Sequence, residues 1–552
     1  MTSKITFLLQ QSVQFIQNGN LELAEDYAKK ALEIDRKNFD SLNILGSIKG
    51  LQGEIAESIE LLVAATDVKK NDFGAQFNLA KAYIDLGRYA DSLPHHRKAI
   101  SLNGSYPDAY VNFAKSLKEV GQPLEAIAAY EKALKLNPGD YEVWTYIGLV
   151  LNDLQNYESA IQAFNEALRI NPSYSAAIFS MGVTYYDLRK YQEALSLYDK
   201  SLKMDSSNAS IWRNKGLAHH DLGQYLDALN AYKSALNHRP DYPDAEFSEA
   251  LTRLTLGDLE LGLQKFEMRW TRSNTAPYRH AQFSQLNDLN KIQGKTILVW
   301  EEEGFGDAIQ FSRYIPKLSE LGARIIFEVR PELLRLFQDF KGVSFIKRGD
   351  EVGDIDYQTP LQSLPLIFNA SISNIPSADG YLSVPDTLVH KWAAKLSLKN
   401  HKLNIGIATS INSKYANLPG HKRAMPLKEL KPLLEYANLF VIQKDLPDED
   451  RDFIENSIGI TYLGDELNDF LDSAAIIDNM DIVICVDTSL AHLAGAIGKQ
   501  VFILLSQTSD WRWFLDATSS PWYSSATLFR QSSLDDWTGV IERAKESLSR
   551  IR

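Results

Sequence analysis

The sequence predicts an α-helical solenoid followed by an α/β region of two doubly wound lobes. Three observations carry this expectation. In the first half, related residues recur with a period of 34, as Asn103, Asn137 and Asn171 show. From Thr296 onward, short β-branched runs alternate with amphipathic segments, the rhythm of a parallel sheet covered by helices on both faces. That rhythm restarts at Leu403 after the looser stretch from Ser371 to Asn400, so two sheets are expected instead of one.

Within the 34-residue period the first helix repeats a large residue, a second residue three on, and a small one. Trp144, Ile147, Gly148; Ile178, Met181, Gly182; and Trp212, Lys215, Gly216 are three instances. The second helix places an aromatic between two small residues, as in Ala126, Tyr130, Ala133; Ala160, Phe164, Ala167; and Ala228, Tyr232, Ala235. Small residues let paired helices approach, and the aromatics fill the gap to the next pair. Frames starting at Ile5, Phe39, Phe73, Pro107, Tyr141, Ser175, Ala209 and Pro243 give eight repeats over residues 1–270. The pattern resembles the tetratricopeptide repeat, with outer repeats degenerate as the ends of a solenoid usually are.

First helices line the concave face of such a solenoid, and Asn78, Asn112 and Asn214 share one frame position there. A ladder of amides can pair with the backbone of an extended peptide. The same residues also suit a plain solvated face. His95–His96 and His219–His220 are neighbours on helices, so their side chains diverge; they read as surface or packing histidines, not metal ligands.

Residues 271–295 lose the helical period and read as a linker or a short bridging segment. The first lobe, 296–400, is expected to hold strands at Thr296–Trp300, Arg324–Val329 and Val343–Lys347, with helices at Asp307–Leu321 and Pro331–Gln338. The second lobe, 401–552, should hold strands at Leu403–Ala408, Phe440–Gln443, Ile460–Leu463, Ile482–Val486 and Val501–Leu505. The amphipathic segment Asp535–Ser549 closes the chain. Ligands of such sheets bind at the carboxyl ends of the strands.

Two strand ends stand out. Gly304-Phe305-Gly306-Asp307 follows the first strand, without the third glycine of a dinucleotide fingerprint. Asp307 is open to two readings, a helix cap or a carboxylate at the mouth of the sheet able to act as general base. Asp487, Thr488 and Ser489 end the Ile482–Val486 run and open a helix whose unpaired N–H groups and dipole favour an anion. His492 shares the face of Thr488 and Ser489. Asp354-Ile355-Asp356 opens an apparent strand and is not read as a metal site. Trp511, Trp513 and Trp522 suit either stacking on a base or sugar, or packing in a core or lid.

Composition narrows the class. Of 552 residues, 45% are hydrophobic and 23% charged, ordinary for a globular protein. A net charge of −13 argues against a nucleic-acid partner. The single cysteine, Cys485, lies inside an apolar run, which fits a reducing compartment. With no signal-peptide layout and no run approaching ~18 apolar residues, a cytoplasmic protein without a membrane span is expected.

Taken together, Gly304-Phe305-Gly306-Asp307, His421-Lys422-Arg423-Ala424-Met425-Pro426, and Asp487-Thr488-Ser489 with His492 resemble glycosyltransferase family 9 over about Lys295 to Arg552. That family comprises the ADP-heptose:lipopolysaccharide heptosyltransferases, with two Rossmann-like lobes in the GT-B arrangement. Joined to repeats, and with Trp511-Arg512-Trp513 and Pro521-Trp522-Tyr523 near the end, the chain resembles bacterial repeat–glycosyltransferase proteins, some of which glycosylate flagellin. The resemblance implies inverting transfer from a nucleotide-diphospho-sugar, with no metal or other cofactor. Asp307 would take the acceptor's proton. Gly304, Gly306, Arg423 (or Lys422), Asp487, Thr488, Ser489 and His492 would form the donor site. The stretch Asn412–Gly420 is longer than the family's loop before its phosphate-binding basic residue. The expected partners are a nucleotide-sugar and a protein or peptide acceptor in the repeat groove at Asn78, Asn112 and Asn214. The alternatives are a glycan or lipopolysaccharide acceptor, or a non-catalytic repeat adaptor.

Overall fold

Helices begin where the 34-residue frames place them, at Phe39, Phe73, Pro107, Tyr141, Ser175, Ala209 and Pro243. The computed structural model describes residues 2–272, 275–302, 304–376, 378–396, 402–410, 424–515, 517–533 and 535–550. The chain divides into two compact units, Met1–Ser206 and Ser207–Arg552.

The first unit is a series of antiparallel helix pairs, from Thr2–Gln17 with Leu21–Ile34 to Ser175–Asp187 with Tyr191–Leu202. Local chemistry sets the ends. Asn38, Asp72 and Asp140 cap first helices by accepting from Ser41, Ala75 and Val143 N–H. The turn after each first helix needs a left-handed residue. Gly19, Gly53, Gly87 and Gly121 supply it, while Gln155 (φ 59°) and Arg189 (φ 61°) adopt it without glycine's freedom. Asn103 and Asn171 accept from the N–H two residues on, turning the chain into the next pair.

Packing explains the small residues. A Cβ on Gly148 would stand 2.5 Å from the Phe164 ring, and one on Gly182 would stand 2.7 Å from the Tyr198 ring. Both rings are fully buried. In these two pairs the first helix therefore offers a glycine against which its partner's aromatic packs.

His96 is buried in this unit, and neither ring nitrogen has a hydrogen-bond partner. Burial, helped by neighbouring His95, pushes its pKa down to about 4. The unfolded chain takes up that proton near the ordinary value of 6.5, before the fold does. Stability from this group is thus complete above 6.5 and is lost as pH falls toward 4, at about 1.4 kcal/mol per pH unit. Urea unfolding of the first unit at pH 6.5 and pH 5 should differ by about 2 kcal/mol from this source. The His96→Leu variant should lose that part of the difference.

The second unit starts with two more helix pairs, Ala209–Asp221 with Tyr225–His238 and Pro243–Thr255 with Leu259–Phe266, then a 3-10 turn at Glu267–Trp270. These helices are bonded to the α/β region: Thr508 donates to the Asp221 carbonyl at 3.0 Å, and Arg269 pairs with Glu302 at 2.7 Å. Within 275–295 the chain runs along the first sheet. Leu286 N–H donates to the Gln358 carbonyl and Gln358 N–H to the Ser284 carbonyl, both at 2.8 Å.

Among the described residues, the first sheet has four strands, β1 (Thr296–Trp300), β2 (Arg324–Val329), β3 (Val343–Lys347) and β4 (Tyr357–Pro360), in the order β3-β2-β1-β4. The second has six among the described residues, β5 (Leu403–Ala408), β6 (Ala437–Val441), β7 (Ile460–Tyr462), β8 (Ile482–Val486), β9 (Val501–Leu505) and β10 (Ala526–Arg530), in the order β10-β9-β8-β5-β6-β7. Each of these strands pairs with its neighbours in parallel. Strand order reverses direction between β1 and β4 in one sheet and between β5 and β8 in the other, so each sheet opens a crevice there. Among the described residues, no helix is long and apolar enough to cross a membrane.

Candidate active site

The two crevices meet. The β1 end leads through Gly304 into the helix Phe305–Phe311, and the β8 end leads through Thr488 into the helix Ser489–Ala496. These helices touch at Gly306, where a Cβ would stand 2.8 Å from His492 Cδ2 and 3.5 Å from the Ser489 Cα. Only a residue without a side chain lets the lobes seat this closely.

Gly304 has φ 92°, and a Cβ there would stand 2.7 Å from Asp307 Oδ2. Its absence makes room for the carboxylate, so packing accounts for both glycines. Asp307 Oδ1 accepts from Arg512 Nη2 at 2.5 Å, and Gln362 Nε2, just past β4, approaches Oδ2 at 3.5 Å. Arg512 lies on the 3-10 turn Trp511–Trp513 of the second lobe. Burial alone would lower its pKa, but Asp307, Asp510 and Asp487 outweigh burial and hold it well above the usual guanidinium range.

Thr488 is extended (φ −136°, ψ 173°) and its side chain caps no backbone N–H of the helix it opens. Thr488, Ser489 and Leu490 line a cavity of about 380 Å³ with Ser410 beyond β5, Gln443 and Lys444 beyond β6, and Phe305 and Glu332 of the first lobe. Gln443 shapes one wall by accepting from Thr409 N–H at 2.7 Å and donating to Ser410 Oγ at 2.7 Å. The cavity thus meets a helix N-terminus at the switch point of a parallel sheet, a place suited to an anion. A larger groove of about 750 Å³, between Leu259–Leu263 and residues 366–373, shares none of these groups.

The structure therefore brings Asp307, Gly304, Gly306, Thr488, Ser489, Asp487 and His492 to one seam between the lobes, although Asp307 itself faces Arg512 and is not part of the cavity wall. His492 is only 4% exposed; it stacks on Trp513 with centroids 5.2 Å apart, and its Nδ1 is 3.0 Å from the Tyr523 hydroxyl. That position fixes the helix more directly than it reaches the cavity. Asp487 is buried at the end of β8. Arg423, with Lys422, lies outside the described residues. Trp511, Trp513 and Trp522 are buried and pack the core. Asp356 is engaged by Thr296 N–H at 2.8 Å and Lys295 at 2.9 Å, which accounts for it structurally.

In the first unit, Asn78 donates to Ser47 Oγ at 3.0 Å and approaches Asn43 at 3.4 Å, and Asn112 is half-buried. In the second unit, Asn214 donates back to the Ser210 carbonyl at 2.9 Å. Asn78 and Asn214 thus spend amide hydrogens within the protein.

Sequence reasoning missed two guanidinium groups. One is Arg512. The other is Arg313, buried against the Tyr523 ring at 4.7 Å and donating to the Trp522 carbonyl at 2.7 Å. The only signal for either was an arginine among aromatics.

Comparisons with known proteins bear on this geometry. A model of glycosyltransferase family 9 (heptosyltransferase) matches residues 467–536, the stretch that holds β8, Thr488 and Arg512. Tetratricopeptide repeat models match residues 13–38, 78–103, 111–175 and 179–246. Protein FlbA of Caulobacter vibrioides is 22% identical over 331 residues, covering 55% of this chain and 54% of that protein. The chain thus spans about half the length of this curated relative. Among solved structures, a tetratricopeptide repeat protein from Parabacteroides merdae has TM-score 0.40 at 18% identity, over 45% of this chain and 99% of that one. The MamA fragment "41-end" from Desulfovibrio magneticus has TM-score 0.30 at 17% identity, over 31% of this chain and 97% of that one. The chain carries tetratricopeptide repeats and, after them, a glycosyltransferase family 9 domain.

Proposed function

We propose that the protein is a GT-B-type, inverting glycosyltransferase that moves a sugar from a nucleotide-diphospho-sugar to a protein acceptor gathered by the repeats, in the cytoplasm. The observation that carries this reading is the cavity at the N-terminus of the Ser489–Ala496 helix, by the switch point of the second sheet. A nucleoside diphosphate leaves as an anion, so its departure needs fixed positive dipoles more than a proton. The acceptor oxygen bonds to the anomeric carbon as the carbon–phosphate oxygen bond breaks. The acceptor's proton passes to Asp307, and the electron pair leaves with the diphosphate. An ion pair requires the Asp307 carboxylate in its charged form, the form that accepts a proton.

Thermal denaturation with ADP-, UDP- and GDP-linked sugars tests donor binding. A donor present at about 100 times its dissociation constant should stabilise the second unit by about 2.7 kcal/mol. Ser489→Asp should abolish that stabilisation without harming the fold, because a carboxylate suits a helix N-terminus but repels a diphosphate. Failure of every nucleotide-sugar to stabilise the protein would overturn the reading.

A further inference from the structure

We infer that the larger groove, beside the last helix pair, docks a segment of the acceptor polypeptide that is uncharged or basic and carries an aliphatic side chain. This rests on the transferase reading above and narrows its acceptor. The groove, of about 750 Å³, has one wall from the Leu259–Phe266 helix of the last repeat and another from residues 366–373 of the first lobe. A chain seated there touches the repeats and the transferase at once. A second groove, of about 450 Å³, shares Gly257 and Ile372 with the first and runs on to Phe514. The two grooves join at Ile372.

The lining sets the chemistry of the occupant. Ile372 is 51% exposed, and its Cδ1 lies only 3.3 Å from where a Cβ on Gly257 would stand. With Leu263 and Leu366 it gives the groove an aliphatic floor, a seat for an apolar side chain. Gln264 and Asn369 are exposed on the two walls, and a side-chain amide pairs with both the N–H and the C=O of an extended backbone. Among the described residues lining either groove there is no lysine, arginine or histidine, whereas Asp258 and Glu260 are present. Asp258 is taken up by Arg253 at 2.9 Å and by Leu261 N–H at 3.3 Å. Glu260 is exposed on the first turn of its helix. A phosphate-bearing glycan or lipid meets repulsion there and no cation to offset it. A polypeptide backbone is neutral, and a lysine or arginine on it meets Glu260.

The test uses the full chain and fluorescence anisotropy with three labelled probes. Two are pools of synthetic peptides with an isoleucine or leucine among serines, one pool carrying lysines and the other glutamates; the third is lipopolysaccharide. The lysine pool should bind most tightly. Ile372→Asp should weaken it about tenfold, the scale of losing one buried aliphatic side chain. Glu260→Lys should reverse the order of the two peptide pools. A photoreactive benzophenone placed at Ile372 should crosslink to the lysine pool. Both positions are exposed, so the thermal midpoint and the shift given by a nucleotide-sugar should stay those of the wild type. A wild type that binds neither pool, pools indifferent to both substitutions, or lipopolysaccharide that displaces the peptides overturns the groove assignment and leaves donor stabilisation, and with it the transferase reading, untouched. Peptide binding with the expected effects, in a protein that no nucleotide-sugar stabilises, supports the groove as a peptide site and overturns its role in sugar transfer.

Discussion

Asp307→Asn should lower kcat about 10²- to 10⁴-fold, the usual contribution of a positioned general base. The substitution keeps the size of the side chain and removes its capacity to take the acceptor's proton. Donor stabilisation should survive, because the groups assigned to the diphosphate, Thr488 and Ser489, lie on the other lobe. Arg512 keeps Asp510 as a charged partner. It still loses a buried ion pair, so some loss of thermal stability is expected alongside the loss of rate. The paired measurement is kcat with acceptor against thermal shift with donor. Turnover that survives the substitution would move the assignment of the base elsewhere. Donor stabilisation that disappears with turnover would mean that the carboxylate shapes the donor site.

The second large effect concerns the helical repeats. Phe164→Ala should destabilise the first unit by about 3–5 kcal/mol, toward the top of that range. The ring is fully buried, and opposite it stands Gly148, which has no side chain to move into the void. Collapse is therefore limited, and the cavity term adds to the lost transfer energy. Repeats are stabilised mainly by their neighbours, so the loss should spread to the adjoining pairs. Chemical denaturation followed by far-ultraviolet circular dichroism measures it. A change below about 1 kcal/mol would mean that neighbouring helices repack freely.

The helical frames and the buried strands were legible because each obeys one strong pattern. The repeats announce themselves by small and aromatic residues at fixed spacing; β1, β2, β5, β8 and β9 are largely apolar runs and β3 a partly exposed mixed one, all with the expected bounds. β4 (Tyr-Gln-Thr-Pro) was expected only as the apparent strand opened by Asp354-Ile355-Asp356, and β10 (Ala-Thr-Leu-Phe-Arg) was not placed, since short strands mixing polar residues resemble loops. β6 was expected at Phe440–Gln443 and occupies Ala437–Val441, because its first residues, Ala437 and Asn438, carry little β preference. At the site, strand ends were visible from local sequence, hence Asp307, Thr488 and Ser489. The Asp307–Arg512 pair was not, because its members are 205 residues apart and no period relates them. The spacing of Asn78, Asn112 and Asn214 was readable, but their hydrogen bonds depend on neighbouring helices that spacing does not describe.

The division of the chain at Ser206 and Ser207 lies inside the repeats, not at their end. Residues 209–270 share a salt link and a hydrogen bond with the α/β region, through Arg269–Glu302 and Asp221–Thr508. Any engineered exchange of repeats is thus simplest ahead of residue 207. A graft made later, at residue 271, would strip Glu302 of its counter-ion and leave a buried carboxylate uncompensated. The last two helix pairs are better regarded as a collar of the α/β region than as a detachable arm.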